Sequence, residues 1–311
     1  MSRRLLVAVA TLGLVAAACQ AEEAAPPAEE EAITIGLSLS TLQNPFFVTL
    51  RDGAQEAADA AGAELVVSDA QDDAQTQASD MEDFITRGVD IIIVNPVDSA
   101  AVVSSVEAAN DAEIPVVTVD RASDGGEIAA HVASDNVQGG QMACEYLIDQ
   151  IGDSGTVAQL EGIPGTSAAQ DRGEGCQQAL DAAADVELVG TQTANFDREE
   201  GLSVAQNIFQ ANPELNGLFA QNDEMALGAV EAAREAGTLG DLVIVGFDAI
   251  EDALAAIEAG DMEGTIAQQP AEMGRLSVEE AVKVANGESV EEFTPVEVVL
   301  VTPDNVGDFT G

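Results

Sequence analysis

Acids, amides and arginines stand directly after several apolar runs of the sequence. The members of this set share the position just beyond a run: Asn44, Asp120, Arg121, Asn222, Asp223 and Asp248. Carboxylates accept hydrogen bonds, guanidinium groups donate them and amides do both, so the set suits a small molecule with several hydroxyl groups. No nucleophile with a neighbouring base, carboxylate dyad or metal-ligand spacing accompanies it. The set predicts reversible binding, and we expect the chain to be no enzyme and to need no cofactor or metal.

The elements that must position these side chains form two similar series. The first series has apolar runs at 33–39, 64–67, 90–94, 115–119 and 128–133, with helical patterns at 46–61, 76–87 and 100–109. The second series has apolar runs, again with helices between them, at 156–160, 186–189, 215–220 and 242–247. Strands separated by single helices indicate parallel sheets. We therefore predict an α/β protein with two similar doubly wound parallel-sheet domains, and a last helix (271–285) and strand (296–301) that could pair with either domain.

The strand ends also predict where the site lies. Ligands of open parallel sheets bind beyond the carboxyl ends of the strands. Since the polar set occupies such positions in both series, we expect two facing half-sites that form one site between the domains.

The first 18 residues are typical of an export signal. Two arginines at 3–4 precede an apolar stretch at 5–15 and three alanines, and Cys19 follows. Bacterial lipoprotein signals are similar and are cleaved before a cysteine that takes a lipid, although Ala16 stands where those signals usually have leucine. The alternative is ordinary cleavage that leaves Cys19 as a plain thiol. Both versions place the protein outside the cytoplasm, and the first anchors it to the outer face of the membrane.

The mature chain is strongly acidic from its first residues. Residues 19–32 contain two prolines and five glutamates, and we expect a disordered tether. The formal net charge of the whole chain is -47, from 57 acidic and 10 basic residues, so nucleic acid and anionic lipid are repelled. A halophile-like protein has this composition, and we expect its stability to rise with salt, which melting temperatures at low and molar salt would test. An acidic protein indifferent to salt is the alternative.

Eight stretches, in the same order along the chain, resemble the ribose-binding protein family of periplasmic sugar receptors. They are STLQNPFFVTLRDGAQEAA (40–58), VDR (119–121), ASDNVQGG (133–140), GTSAAQDRGEG (165–175), NFDR (195–198), FAQNDEMALGA (219–229), VGFD (245–248) and TIAQ (265–268). Each is weak alone, but eight in order are specific, and the resemblance covers nearly all of 33–301.

The resemblance implies ten sugar contacts, none of which is replaced here by another residue type. They are Asn44, Phe46, Phe47, Asp120, Arg121, Arg172, Phe196, Asn222, Asp248 and Gln268. The phenyl rings would cover the faces of a sugar ring while the polar groups bind its hydroxyls. Two alternatives remain: both arginines, which we expect in loops, could merely neutralise Asp120 and Asp171, and Phe47 could belong to the core.

The resemblance also implies a three-segment hinge of the type I periplasmic binding fold. The chain would cross between domains near Ser134 and Asp135, near Gln269 and near Val296. The implied domains are 33–134 with 269–297 and 135–268 with 298–311, so the last helix returns to the first domain. A sugar that binds both domains would stabilise the closed form.

The function implied is that of a monomeric sugar-binding component of an ABC transporter, with D-ribose as ligand and a permease as partner. A chemoreceptor is a further candidate partner, and the membrane is reached only through the lipid anchor. The same fold could instead bind galactose, xylose, allose, an inositol or a furanose-type signalling molecule. Repressors of the lactose-repressor type share this core, but they begin with a helix-turn-helix where this chain has a signal and an acidic tether, and its charge opposes DNA.

Three remaining residues carry weaker expectations. An oxidising compartment permits a bridge between Cys144 and Cys176, but sequence alone cannot show that their Cα atoms lie close enough. We favour two separate buried thiols. His131, the only histidine, lies inside an apolar run, and we expect a core residue rather than a catalytic base.

Overall fold

A computed structural model describes residues 32–309. The predicted signal at 1–18, Cys19 and all of the tether except Ala32 lie outside that range, so their assignments stay predictions. Among the described residues, no helix is both long and apolar enough to cross a membrane.

The described residues form two six-stranded sheets, each flanked by helices. The strands are β1 (Thr34–Leu39), β2 (Glu64–Asp69), β3 (Ile91–Val94), β4 (Val116–Val119), β5 (Ala130–Ser134), β6 (Gly155–Glu161), β7 (Val186–Thr193), β8 (Gly217–Ala220), β9 (Val243–Asp248), β10 (Gly264–Ala267), β11 (Phe293–Val296) and β12 (Val299–Val301). The helices are α1 (Pro45–Ala61), α2 (Ala74–Arg87), α3 (Val103–Asp111), α4 (Asn136–Gln150), α5 (Ser167–Ala182), α6 (Arg198–Ala211), α7 (Asp223–Ala236), α8 (Glu251–Ala259) and α9 (Pro270–Ala285).

The two sheets have the same kind of topology, and each defines a lobe. The first lobe has strand order β11-β5-β4-β3-β1-β2, with α1, α2, α3 and α9 against its sheet. The second lobe has order β12-β10-β9-β8-β6-β7, with α4 to α8 against its sheet. All pairs are parallel except β10 with β12. The predicted fold class, two doubly wound parallel α/β units, is confirmed.

The structure refines the predicted elements near the end of the chain. The expected strand over 296–301 is two short strands, of which β11 joins the first sheet and β12 the second. β10 was not expected as a strand of its own. The last helix, α9, packs against α1 so closely that a Cβ on Gly53 would lie 2.2 Å from the carbonyl oxygen of Ala271. Only glycine permits this approach of the two backbones.

The cysteine prediction was wrong. Both cysteines are buried as expected, but Cys144 of α4 and Cys176 of α5 are joined in a disulfide with their Cα atoms 5.1 Å apart. The backbones of the two helices approach closely here: a Cβ on Gly140 would lie 2.2 Å from the carbonyl oxygen of Arg172. Sequence could not show this proximity, since it arises from helix packing rather than from spacing along the chain.

Candidate functional site

A cavity lies between the lobes at the carboxyl ends of the strands, with about 250 Å³ of space free of protein atoms, part of it open to solvent. It is lined by all ten residues that the sequence predicted and by one that it did not, Ala168. Every polar member of the ten except Asn44 is buried. The structure therefore describes a closed cleft whose polar side chains are shielded from bulk water.

The two lining asparagines also begin helices. Asn44 Oδ1 accepts a hydrogen bond from the Phe46 backbone N–H at 2.9 Å, at the start of α1. Asn222 Oδ1 accepts from the Met225 N–H at 3.0 Å, at the start of α7. These caps use the amide oxygens, so each asparagine offers mainly N–H donors to a ligand rather than both functions as expected. Asn222 Nδ2 also donates to the carbonyl oxygen of Phe196 at 3.2 Å, which leaves one of its N–H groups for a ligand.

In the first lobe, an acid and an arginine follow β4 as neighbours in the chain. Asp120 has a positive φ of 62°, and its Oδ2 accepts from Asn95 Nδ2 at 3.1 Å. Arg121 donates from Nη1 to the carbonyl oxygen of Pro96 at 3.1 Å. The guanidinium Nε lies 3.8 Å from the Asp120 carboxylate, which is beyond hydrogen-bond distance. Burial raises the pKa of Asp120, and the two cavity arginines oppose that rise.

In the second lobe, the arginine comes from a helix. Arg172 lies in α5 and not in a loop, which corrects the expectation. Its Nε donates to Asn136 Oδ1 at 2.8 Å, and its Nη1 donates to the carbonyl oxygen of Gln221 at 2.6 Å. The guanidinium lies 3.8 Å from the centre of the Phe247 ring. These contacts fix the guanidinium plane so that it faces the cavity.

The acid of the second lobe is Asp248, the last residue of β9. Its Oδ1 accepts from Gln268 Nε2 at 2.7 Å and lies 3.8 Å from Arg172 Nη1. Burial raises its pKa to about 7, although Arg172 and Gln268 act in the opposite direction. Burial and the neighbouring Asp248 also raise the pKa of Asp223 well above its ordinary value.

Three phenyl rings complete the wall. Phe46 and Phe47 meet edge to face with their centroids 5.1 Å apart. Phe196 lies between β7 and α6, and Gly162 leaves space for it, since a Cβ there would lie 1.9 Å from the ring. The guanidinium of Arg121 lies 5.3 Å from the centroids of both Phe47 and Phe196. Phe47 is a cavity wall and also belongs to the core of the first lobe, so both interpretations of this residue hold.

The cavity contains polar atoms without partners among the described residues. These buried atoms are Asp120 Oδ1, Arg121 Nε and Gln268 Oε1. They include acceptors and a donor, and a buried polar atom without a hydrogen bond destabilises the protein. The alternative that the arginines merely neutralise acids does not account for these atoms, nor does Arg172 hydrogen-bond to Asp171. A ligand with several hydroxyl groups would satisfy them.

The lobes also touch each other directly beside the cavity. The Ser99 N–H of the first lobe donates to the carbonyl oxygen of Gly165 in the second at 2.8 Å. Ser167 Oγ accepts from the Ala122 N–H at 2.9 Å, and the Ser167 N–H donates to Ser99 Oγ at 3.2 Å. These hydrogen bonds join the two lobes directly beside the cavity.

The residues predicted for the hinge lie where the chain passes between the sheets. Ser134 and Val296 are register partners at the ends of β5 and β11. Asp135 follows Ser134 and caps α4. Gln269 precedes α9 and donates from Nε2 to the carbonyl oxygen of Glu297 at 3.1 Å. The crossings are therefore adjacent.

His131 lies away from this site. Its Nδ1 is 2.8 Å from Thr118 Oγ1 between neighbouring strands, and its ring stacks on Phe293. It does not line the cavity, and it is half-buried beside the exposed Phe293 rather than in the core as expected.

The sequence reasoning missed the residues behind the cavity wall. Asn95 and Gln221 follow β3 and β8 directly and contact Asp120 and Arg172, so the rule that located the lining residues could have found them. Phe247 carried no such signal, because it resembles any other apolar strand residue until Arg172 is seen to lie over it.

Residues 35–289 match the family described as the periplasmic binding protein domain, and the chain belongs to this family. It is similar to the ribose import binding protein RbsB of Haemophilus influenzae, with 46% identity over 269 residues that cover 86% of this chain and 91% of that protein. The predicted resemblance is thus confirmed.

Solved structures show the same fold. A solute-binding protein of an ABC transporter from Bacillus halodurans, with bound myo-inositol, has a TM-score of 0.86 and 36% identity, covering 91% of this chain and 99% of its own. A second, from Actinobacillus succinogenes with bound D-allose, has a TM-score of 0.83 and 34% identity, covering 89% of this chain and 99% of its own.

Proposed function

We propose that this protein binds one molecule of D-ribose in the closed cavity and delivers it to the permease of an ABC transporter. The observation that carries the proposal is the cavity itself: ten side chains of the expected types, from both lobes, surround one space toward which unpartnered acceptors and a donor lie. The similar proteins named for ribose import support the choice of sugar.

Each group in the wall has a role toward a monosaccharide. The carboxylates of Asp120 and Asp248 would accept from adjacent hydroxyls, and Arg121 and Arg172 would donate to ring or hydroxyl oxygens. Phe196 would cover an apolar face of the sugar. A sugar that lacked one hydroxyl would leave one of these buried groups unpaired, at a cost of about 1–3 kcal/mol, and this gives selectivity.

Binding would be coupled to closure of the lobes. We propose that 33–134 with 269–297 and 135–268 with 298–311 move as domains about Ser134, Asp135, Gln269 and Val296. Because these crossings are adjacent, a small backbone rotation there would separate the two halves of the cavity. The sugar contacts both halves and would therefore favour the closed form.

We propose that the protein acts as a monomer and carries the sugar without a chemical reaction. The sugar would leave unchanged, and a permease, with a chemoreceptor as a further candidate, would recognise the closed form. Export followed by lipidation of Cys19 would keep the protein at the membrane surface. A Cys19→Ala variant should appear in the soluble fraction after cell breakage, and retention with the membranes would contradict the anchor.

The experiment for the ligand is calorimetric titration of the mature protein with D-ribose, D-allose, D-xylose, D-galactose and myo-inositol. We expect D-ribose to bind most tightly. The bound myo-inositol and D-allose in similar structures favour those two as second candidates. Tighter binding of another sugar would reject ribose but keep the class of ligand, and no binding of any of the five would reject the proposal.

A further inference from the structure

Asp223 is a fully buried acid that does not line the cavity. It is the first residue of α7 and follows Asn222, which caps that helix. None of its surface is exposed, and it is absent from the cavity wall. A buried carboxyl group needs hydrogen-bond partners, so its partners indicate what it does.

The Asp223 carboxyl group hydrogen-bonds to strand β10 and to the turn that follows β9. Oδ1 accepts from Thr265 Oγ of β10 at 2.7 Å, and Oδ2 accepts from the Ile250 N–H at 3.0 Å. Gly246 of β9 leaves room for the group, since a Cβ there would lie 2.1 Å from Oδ1. Thr265 Oγ in turn accepts from the Ala249 N–H at 3.4 Å.

The turn held in this way is the one that presents Asp248 to the cavity. Asp248 has a φ of 121° and Ala249 a φ of 58°, which non-glycine residues rarely adopt. Two such residues in succession persist only where the surroundings hold them. Here the two backbone N–H groups that follow Asp248, those of Ala249 and Ile250, bind Thr265 and Asp223.

We propose that Asp223 is a positioning residue for sugar recognition: it holds the 248–250 turn so that the Asp248 carboxylate faces the ligand. The inference rests on the proposed function and deepens it. It assigns the orientation of Asp248 to a side chain that does not line the cavity. Asn222, which lines the cavity, stands directly before Asp223 and caps the same helix, α7.

The test compares D-ribose binding of Asp223→Ala and Asp223→Asn by calorimetry, at a temperature where both are folded. Asp223→Ala leaves the Ile250 N–H without a partner, and we expect affinity to fall about tenfold or more. Asp223→Asn keeps an acceptor for the Ile250 N–H and reverses the other hydrogen bond, with its NH₂ group donating to Thr265 Oγ1, so it should recover most of the affinity. A role in folding alone would lower the melting temperature of Asp223→Ala without this loss and recovery of affinity.

A second variant and a matched control keep the test independent of folding. Thr265→Val removes the other support of the turn and should also weaken binding, whereas Asp223→Ala with Thr265→Val should be little worse than Asp223→Ala alone. The control is Thr118→Val, which removes a buried strand hydroxyl that pairs with His131. It should lower the melting temperature and leave the affinity unchanged.

The outcomes separate the two proposals. If the wild-type protein binds D-ribose and Asp223→Ala binds it equally, the positioning role is wrong and the proposed function stands. If Thr118→Val weakens binding as much as Thr265→Val, the effect is one of stability and the positioning role is again wrong. If the wild-type protein binds no D-ribose, the proposed function fails and this inference fails with it.

Discussion

The two lobes offer the cavity the same pair of side-chain types, an aspartate and an arginine, but assemble the pair differently. In the first lobe, Asp120 and Arg121 are neighbours in the chain after β4. In the second, Arg172 comes from α5 and Asp248 from the end of β9, and folding brings their charged groups to 3.8 Å. A local pair is set by one turn of backbone, whereas the second pair depends on how helices and sheet pack.

The supports of the two acids differ as well. The amide of Asn95 holds Asp120, but beside Asp248 lies a second buried carboxyl group, that of Asp223. Burial raises the pKa of both lining acids, and that of Asp248 reaches about 7. The two acids therefore have different neighbours, and we expect the two lobes to differ in their sensitivity to pH and to packing.

The largest expected effect distinguishes the two arginines. Arg172→Ala removes the partner of Asn136, of the Gln221 carbonyl and of Asp248, and should weaken D-ribose binding by about 2–5 kcal/mol, roughly thirtyfold or more. Arg121→Ala removes one hydrogen bond within the protein, to the Pro96 carbonyl oxygen, together with the charge 3.8 Å from Asp120. It should cost less, because Arg172 makes two hydrogen bonds within the protein. Calorimetry of both variants, with the exposed Arg234→Ala as a control, would check this order. Equal losses of affinity in the two variants would mean that the packing around Arg172 and Asp248 adds nothing to sugar binding.

Next in size is the disulfide, which only the second lobe has among the described residues. Cys144→Ser with Cys176→Ser should lower the free energy of unfolding by about 3 kcal/mol, because the unfolded chain gains freedom. Denaturant unfolding with and without a reductant would measure it, and the variant should not respond to the reductant. If the reductant left the denaturant midpoint of the wild-type protein unchanged, the disulfide would contribute no stability.

The pH dependence should also differ between the acids. Asp248 has an ordinary pKa of 3.8 and a folded value of about 7, so the folded protein binds the extra proton. The stability it contributes is present below about pH 4 and is lost as pH rises through about 7, with a slope of up to about 1.4 kcal/mol per pH unit. Asp248→Asn should flatten this fall, as unfolding measured from pH 4 to 8 would show.

Asp120→Asn is the matched comparison for that slope. Its pKa is also raised by burial, but Asn95 and both arginines oppose the rise. We expect a smaller change of slope than for Asp248→Asn. His131 is present in the wild-type protein and in both variants, so its contribution to the pH dependence of stability cancels in the comparison. A steeper change in Asp120→Asn would reverse the comparison between the lobes.

The smallest expected effect concerns the contact between the lobes. Ser167→Ala removes the acceptor for the Ala122 N–H and should weaken D-ribose binding by about 1 kcal/mol, roughly fivefold, because the closed form loses a hydrogen bond. Stopped-flow measurement should show the change mainly as faster dissociation. The exposed Ser154→Ala serves as control, and an unchanged dissociation rate in Ser167→Ala would show that the contact does not hold the lobes closed.

The sequence alone indicated half of the cavity wall, because polar side chains at the carboxyl ends of parallel strands converge where the sheet forms. The residues found in this way are Asn44, Asp120, Arg121, Asn222 and Asp248, whereas the family resemblance supplied the other five. The helix starts carried local signals that were not used as predictions, since Asn44 stands before Pro45 and Asn222 before two acids, both patterns of helix N-termini. These signals are local: each depends on residues within one turn or one strand end.

Only the tertiary structure decided the features that depend on packing between distant segments. It joined Cys144 to Cys176, divided 293–301 between two sheets, put Phe247 beneath Arg172 and aimed Asp223 at the turn that carries Asp248. In the sequence a cysteine, an apolar strand residue or an acid at a helix start looks the same whether or not it has such a partner. The partner is supplied by the approach of helices and strands far apart in the chain, and spacing along the sequence does not encode that distance.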